Sequence, residues 1–223
     1  IRCSDRILCL SSPVQEWLQA LVPGVPVEWW PNPVPVHPFA LESDTQDREP
    51  VLLFLGALVP AKGLRDLLQA FTMLHSLHPE ALLVIGGVGP ERAALQQEAV
   101  ALGLQNAVKF EGWIDTPEKT AWLRRARILV LPSHLESQPM VLLEAMAAGA
   151  AVVSTDVGGV PDLVQTDEAR MLLLPIRHRA LEWAWFVRKY RIKAHLPEDR
   201  VLIGREEGAK AGSWPDLGGT FAE

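Results

Sequence analysis

Along the chain, short apolar runs alternate with longer stretches in which apolar residues recur every three or four positions. Residues 51–58 are apolar or Gly throughout, as expected of a strand covered on both faces. Residues 63–77 follow, with Leu64, Leu67, Leu68, Phe71 and Leu74 on one helical stripe. The alternation continues with a strand at 81–86, a helix at 91–103 ending on Gly103, and a strand at 108–112. Asp115-Thr116-Pro117-Glu118 opens the next helix, with Asp115 and Glu118 at capping-box spacing. A strand at 128–132, a helix at 139–149 and a strand at 151–154 come next, and Gly158-Gly159-Val160-Pro161 starts one more short helix. Ahead of this block, residues 6–11 read as a strand and Ser12-Pro13 as a helix start, with Ser as cap and Pro just inside. A second strand is expected at 25–30, then a Pro-rich and polar linker over 31–50.

Strands alternating with helices imply an α/β fold, a Rossmann-like doubly wound parallel sheet. The divisions expected are 1–47 (strand, helix and linker ending a preceding domain), 48–175 (the sheet domain) and 176–223 (a divergent basic and aromatic tail). Ligands bind such sheets at the carboxyl ends of the strands, here after Leu55, Ile85, Phe110 and Leu131.

Composition narrows the class. With 223 residues, 48% hydrophobic and 22% charged, the chain has the profile of a globular protein with ample core. A net charge of -6 argues against a nucleic-acid binder. Cys3 and Cys9, the only cysteines, would lie roughly 20 Å apart on an extended strand, which suits a reducing cytosol. No signal peptide or spanning segment is expected, since the apolar run at 139–153 is short and carries Glu144. The opening on Ile1, already strand-like, reads as a piece of something longer.

Glu144 is the one residue from 139 to 153 that is neither apolar nor Gly. An ionised carboxylate in an oily helix is costly without a partner, and no Lys or Arg lies within the helix. Either Glu144 reaches solvent or a backbone N–H, or it accepts hydrogen bonds from ligand hydroxyls, with Glu136 facing the same crevice. Pro139 suits the first helical position and Gly149 the end. The free N–H groups of the first turn, with those of Ser137 and Gln138, would then meet an anion. Two carboxylates beside such a helix start point to a phosphorylated sugar. Gly56 to Gly63 is a loop that places Lys62 near another helix start, where a phosphate is also favoured. Gly86-Gly87-Val88-Gly89-Pro90 lacks the spacing of a dinucleotide or Walker loop. It is either a tight turn beside a neighbouring strand or a direct ligand contact. Gly112-Trp113 could stack or bond a base, although rim packing is the plainer account of Trp113. His75, His78 and His134 lack metal-ligand spacing, and no G-x-S-x-G elbow occurs.

Together these stretches resemble the nucleotide-sugar-binding half of retaining glycosyltransferases of family 4 (group 1), with the GT-B fold. Ser4-Asp5-Arg6-Ile7 with Ser11 and Pro31-Asn32 looks like that family's "A-D-x-I…S…P-N-G" entry into its second domain. Gly56…Lys62-Gly63 is similar to "G-R-L-x-x-x-K-G", and Gly86 to Pro90 with 108–112 to "G-x-G-P…V-x-F-x-G". Pro132-Ser133…Glu136…Glu144-Ala145-Met146-Ala147…Gly149, with Gly158 to Asp162, resembles "P-S-x-x-E-x7-E-A-x-A-x-G…G-G-x-P-E". The similarity runs from about residue 3 to 175.

The resemblance implies that Glu144 bonds the nucleotide ribose, Glu136 a donor-sugar hydroxyl and Lys62 the diphosphate. It implies that Gly56, Gly87, Gly112 and Trp113 line the site and that Ser137, Gln138, Pro139, Met140 and Val141 meet sugar and phosphate. It implies transfer from a UDP-, GDP- or similar donor, with no metal required, to a glycan or lipid-linked acceptor held by an absent N-terminal domain. Lys62 and Glu136 would carry the catalysis, in the cytoplasm or at the inner membrane face. Ala57 stands where the family often has Arg, so one cation is missing. Past Pro175 the resemblance stops, and Arg177, Arg179, Arg188, Lys189, Arg191 and Lys193 mix with Trp183, Trp185, Phe186 and Tyr190. That stretch, 177–193, would suit an anionic membrane surface, or it is a frameshifted or foreign tail. Two other functions fit: a nucleotide-sugar epimerase-like GT-B enzyme, and an inactive domain kept as an interaction module.

Overall fold

The computed structural model describes residues 4–35, 38–39 and 48–163, together with the strands at 171–174 and 202–203. Among the described residues, nine strands and five α-helices follow in order. β1 (Ile7–Cys9), α1 (Ser12–Leu21) and β2 (Val27–Trp29) come first. Then come β3 (Glu49–Leu55), α2 (Leu64–Leu77), β4 (Leu82–Gly86), α3 (Arg92–Ala101), β5 (Val108–Gly112) and α4 (Thr116–Arg125). β6 (Ala126–Leu131), α5 (Met140–Ala147), β7 (Ala151–Thr155), β8 (Met171–Leu174) and β9 (Leu202–Ile203) complete the order. Single 3₁₀ turns lie at Pro60–Lys62 and Pro161–Leu163.

Seven strands form one all-parallel sheet in the order β5-β4-β3-β6-β7-β8-β9. The chain winds outward from β3 through β4 to β5, then returns to the other side of β3 with β6. That reversal between β3 and β6 is the switch point at which doubly wound sheets open a crevice. α2 packs with α3, and α4 packs with α5 against β3, β6 and β7. Leu53, Phe54, Leu83, Ile85, Leu129 and Leu131 are fully buried, as continuous apolar strands between helical layers should be. The α2 stripe of Leu64, Leu67, Leu68, Phe71 and Leu74 is buried as its spacing required.

β1 and β2 form a separate two-stranded parallel sheet covered by α1. Trp17, Leu21, Leu8 and Trp30 of this unit are exposed. It joins the main body through polar contacts: the Asp162 carboxylate accepts from Ser12 N–H (2.7 Å) and Oγ (2.6 Å). Here the structure corrects the cap assignment. Ser12 is the first helical residue, Ser11 holds the cap position without a side-chain bond, and the Ser12 hydroxyl serves the long-range contact instead.

Three other boundaries differ. The polar stretch before β3 does not end as a free linker, because Arg48 is buried. Its guanidinium donates to Leu123 O (2.8 Å), Ala126 O (2.7 Å) and Ala148 O, the carbonyls left open where α4 and α5 end. Pro139 is the N-cap of α5 in extended conformation, not its first helical residue, and the helix stops at Ala147. The element expected after Gly158 is only a 3₁₀ turn. The Asp115–Glu118 capping box forms with both bonds made. Cys9 is a buried thiol; Cys3 and the 177–193 stretch lie outside the described residues.

Candidate functional site

Four loops leave the carboxyl ends of β3, β4, β6 and β7, and close backbone contact holds them in one layer. Gly63 has φ +65°, and a β-carbon there would overlap the Pro132 carbonyl, so the start of α2 lies directly on the loop after β6. Gly158 has φ +53°, and a β-carbon there would overlap the Glu136 carbonyl. No L-residue with a side chain fits either place without displacing backbone. Gly87 is pressed in the same way on Gly56, and Gly89 on Leu58. The glycine-rich turn after β4 therefore passes close to a neighbouring loop, which accounts for its composition before any ligand is invoked. His134 backbone N–H donates to Ala61 O at 2.8 Å, tying the β6 loop to the 3₁₀ turn that carries Lys62.

One lysine–carboxylate pair stands on this platform, and a second joins α4 to α5. Lys62 Nζ lies 2.6 Å from Glu136 Oε1, with side chains 24% and 8% exposed. Lys119 Nζ lies 2.6 Å from Glu144 Oε1, with side chains 28% and 13% exposed. The carboxylate that looked unsupported within its helix is thus supported from the neighbouring one. Glu144 therefore neither reaches freely into solvent nor relies on a backbone N–H; it is held by Lys119. Each pair uses one carboxylate oxygen, which leaves Glu136 Oε2 and Glu144 Oε2 without a hydrogen-bond partner among the described residues.

The backbone N–H groups of Met140 and Val141 lack partners among the described residues, as the first turn of a helix dictates, and so do those of Ser137 and Gln138 just before the cap. Gln138 departs from its companions, because the residue is buried and its Oε1 accepts from Asn32 N–H at 2.6 Å. The Gln138 amide joins the β1–α1–β2 unit to α5, while its backbone stays with the helix start. It lines a cavity of about 440 Å³ with Trp29, Asn32, Leu143 and Met146. Gly56 and Gly112 sit at the ends of β3 and β5. Trp113 is 75% exposed, so it does not pack at the rim. Ala57 is exposed beside Gly56 and offers no cation.

Two residues escaped the reading of the sequence. Lys119 lies on α4, distant in sequence from Glu144, and its one signal was the need of Glu144 for a positive partner. Arg92 donates to Phe110 O at 3.2 Å and lies over Gly112, where a β-carbon would touch its guanidinium. Among the described residues no cluster of His, Cys, Asp or Glu could hold a metal. No helix among them is long and apolar enough to cross a membrane.

Residues 40–185 match the family model of the glycosyl transferases group 1. The chain belongs to that family. A glycogen synthase from Mycobacterium tuberculosis is 38% identical over 113 residues, which cover 51% of this chain and 27% of that protein. A D-inositol 3-phosphate glycosyltransferase from Jonesia denitrificans is 30% identical over 179 residues, 76% of this chain and 42% of that one. Among solved structures, sucrose-phosphate synthase from Thermosynechococcus elongatus superposes with a TM-score of 0.72 at 24% identity, over 86% of this chain and 50% of that chain. Anabaena HepE in complex with UDP and glucose gives 0.70 at 21% identity, over 86% and 56%. These likenesses establish the fold, a Rossmann-like half of a GT-B glycosyltransferase. The chain spans less than half the length of the two curated relatives and about half of the two solved chains.

Proposed function

We propose that this group 1 glycosyl transferase chain carries the donor-binding half of a retaining enzyme. That enzyme would move a sugar from a nucleoside-diphosphate sugar to a glycan or lipid-linked acceptor. The observation that carries the reading is the connection from β6 into α5. There Glu136 pairs with Lys62 of the β3 loop, a row of N–H groups is unpartnered among the described residues and, one turn into the helix, Glu144 keeps one oxygen unused. Hydroxyls need fixed acceptors, and a diphosphate needs positive ends; this layer holds both. Glu144 Oε2 takes a ribose hydroxyl, and Glu136 takes a hydroxyl of the donor sugar. Lys62 exchanges Glu136 for the diphosphate and, with the start of α5, stabilises its charge as the glycosidic bond breaks. Those groups fill the role a metal would otherwise have. HepE, similar in fold, was solved in complex with UDP and glucose, which supports a nucleotide ligand for this chain, and the complementary domain would bring the acceptor.

Ala57 favours a second reading, a domain that holds the donor without transferring it, because a cation common in the family is absent. A nucleotide panel tests the first claim: the chain should bind UDP or GDP weakly, bind the matching nucleoside less well, and turn over no acceptor by itself. Equal affinity for nucleoside and nucleoside diphosphate would remove the diphosphate role of Lys62.

A further inference from the structure

Glu144 is presented by one helix and gripped by another. Lys119 lies on α4, whose start is fixed by the Asp115–Glu118 capping box and whose length packs beside α5. Its ammonium meets Glu144 Oε1 at 2.6 Å and lies 5.8 Å from the centre of the Phe39 ring, itself 3% exposed. An ammonium over an aromatic face is attracted to it, so two partners hold Lys119 in place. Glu144 Oε2 is left without a partner among the described residues.

We propose that Lys119 is a positioning residue for donor binding. It fixes Glu144 through one oxygen so that the other stands ready for a hydroxyl of the ribose cis-diol. The inference rests on the reading of Glu144 given above and adds a residue that the family motif does not contain. A free Glu side chain surrenders rotamer entropy on gripping a ligand; one already held by a lysine has surrendered it on folding. An ionised carboxylate has four acceptor sites, so one ammonium leaves ample capacity. Competition is the alternative, in which ribose must first displace Lys119, and it predicts the opposite sign for removal of the lysine.

The test uses the full chain titrated with UDP and 2′,3′-dideoxy-UDP, or the guanine pair if GDP is the tighter ligand. The wild type should prefer the ribose form about thirtyfold, the worth of one hydrogen bond to a charged acceptor. Lys119→Met should weaken the ribose form by about the same factor and leave the dideoxy form unchanged, so that the preference disappears. Lys119→Arg should keep it, and Lys119→Gln serves if the Met variant does not fold. A merely structural role would weaken both analogues equally. That result, tighter ribose binding without the lysine, or an Arg variant that behaves like Met, overturns the proposal. If Glu144→Gln abolishes the preference while both neutral variants at Lys119 retain it, only this inference falls. If the wild type binds no nucleoside diphosphate, the site reading falls and takes it along.

Discussion

The two lysine–carboxylate pairs have the same length, 2.6 Å, and are built on opposite terms. Lys62 and Glu136 both stand on connections, a 3₁₀ turn and the loop after β6. Lys119 and Glu144 both stand on α-helices that pack against each other. A pair on loops separates by small changes in the connection; a pair on packed helices separates only if a side chain leaves its rotamer. The first suits a contact that opens when an anion arrives, and the second suits a fixture. Identical distances therefore suit different roles, and only the supporting elements tell them apart.

Glu144→Ala should do the greatest harm, because it removes the fixture. Nucleoside diphosphate affinity should fall by about 2 kcal/mol, roughly thirtyfold, in a calorimetric titration. Lys62→Ala should cost about tenfold in diphosphate affinity while leaving nucleoside binding intact. It also strands Glu136 with its side chain 8% exposed, so thermal melting should register a loss of about 1–3 kcal/mol. Glu136→Gln sharpens the contrast from the other side. The neutral amide holds Lys62 less firmly, so UDP or GDP should bind about threefold tighter, while any preference for the sugar-bearing form declines. Weaker diphosphate binding in that variant would contradict the opening of the loop pair.

The exposed pair of Glu49 and Arg125 should matter least. Its Arg125 Nε lies 2.8 Å from Glu49 Oε1, and the Arg125 hydrogen bond holds the Glu49 carboxyl below its ordinary value. A lowered folded-state value means stability that is present above the unfolded carboxylate range and lost as pH falls through the lowered one. Solvent screening limits this to about 0.5 kcal/mol, so Arg125→Ala should barely shift the acid side of a pH–stability curve.

Much of the fold was legible because strands buried on both faces leave uninterrupted apolar runs, as in β3, β4 and β6. The α2 stripe and the α4 capping box were equally plain, since both are local spacings. Glu144 could be singled out because a carboxylate among apolar residues is costly and so conspicuous, and Glu136 because it lies just upstream of the same helix and matches the family's motif. Lys119 could not, because a lysine on the polar face of α4 looks solvated until α4 is set against α5. Arg48 was hidden in the same way. In a polar stretch it read as linker, and only the meeting of the ends of α4 and α5 supplies the carbonyls that bury it. Trp113 misled in the opposite direction, since its bulk suggested packing and it is exposed. Pro139 is compatible with either side of a helix start, so its spacing alone could not place it. Pairings between distant elements left no local pattern to read.

Parallel titrations of wild type and Glu144→Ala with UDP and GDP test most directly whether Glu144 is kept among apolar neighbours to grip a nucleotide. Saturable binding of one nucleoside diphosphate by the wild type, lost in the variant, is the result expected. Absence of binding to either nucleotide, or the same affinity with and without the carboxylate, would contradict it.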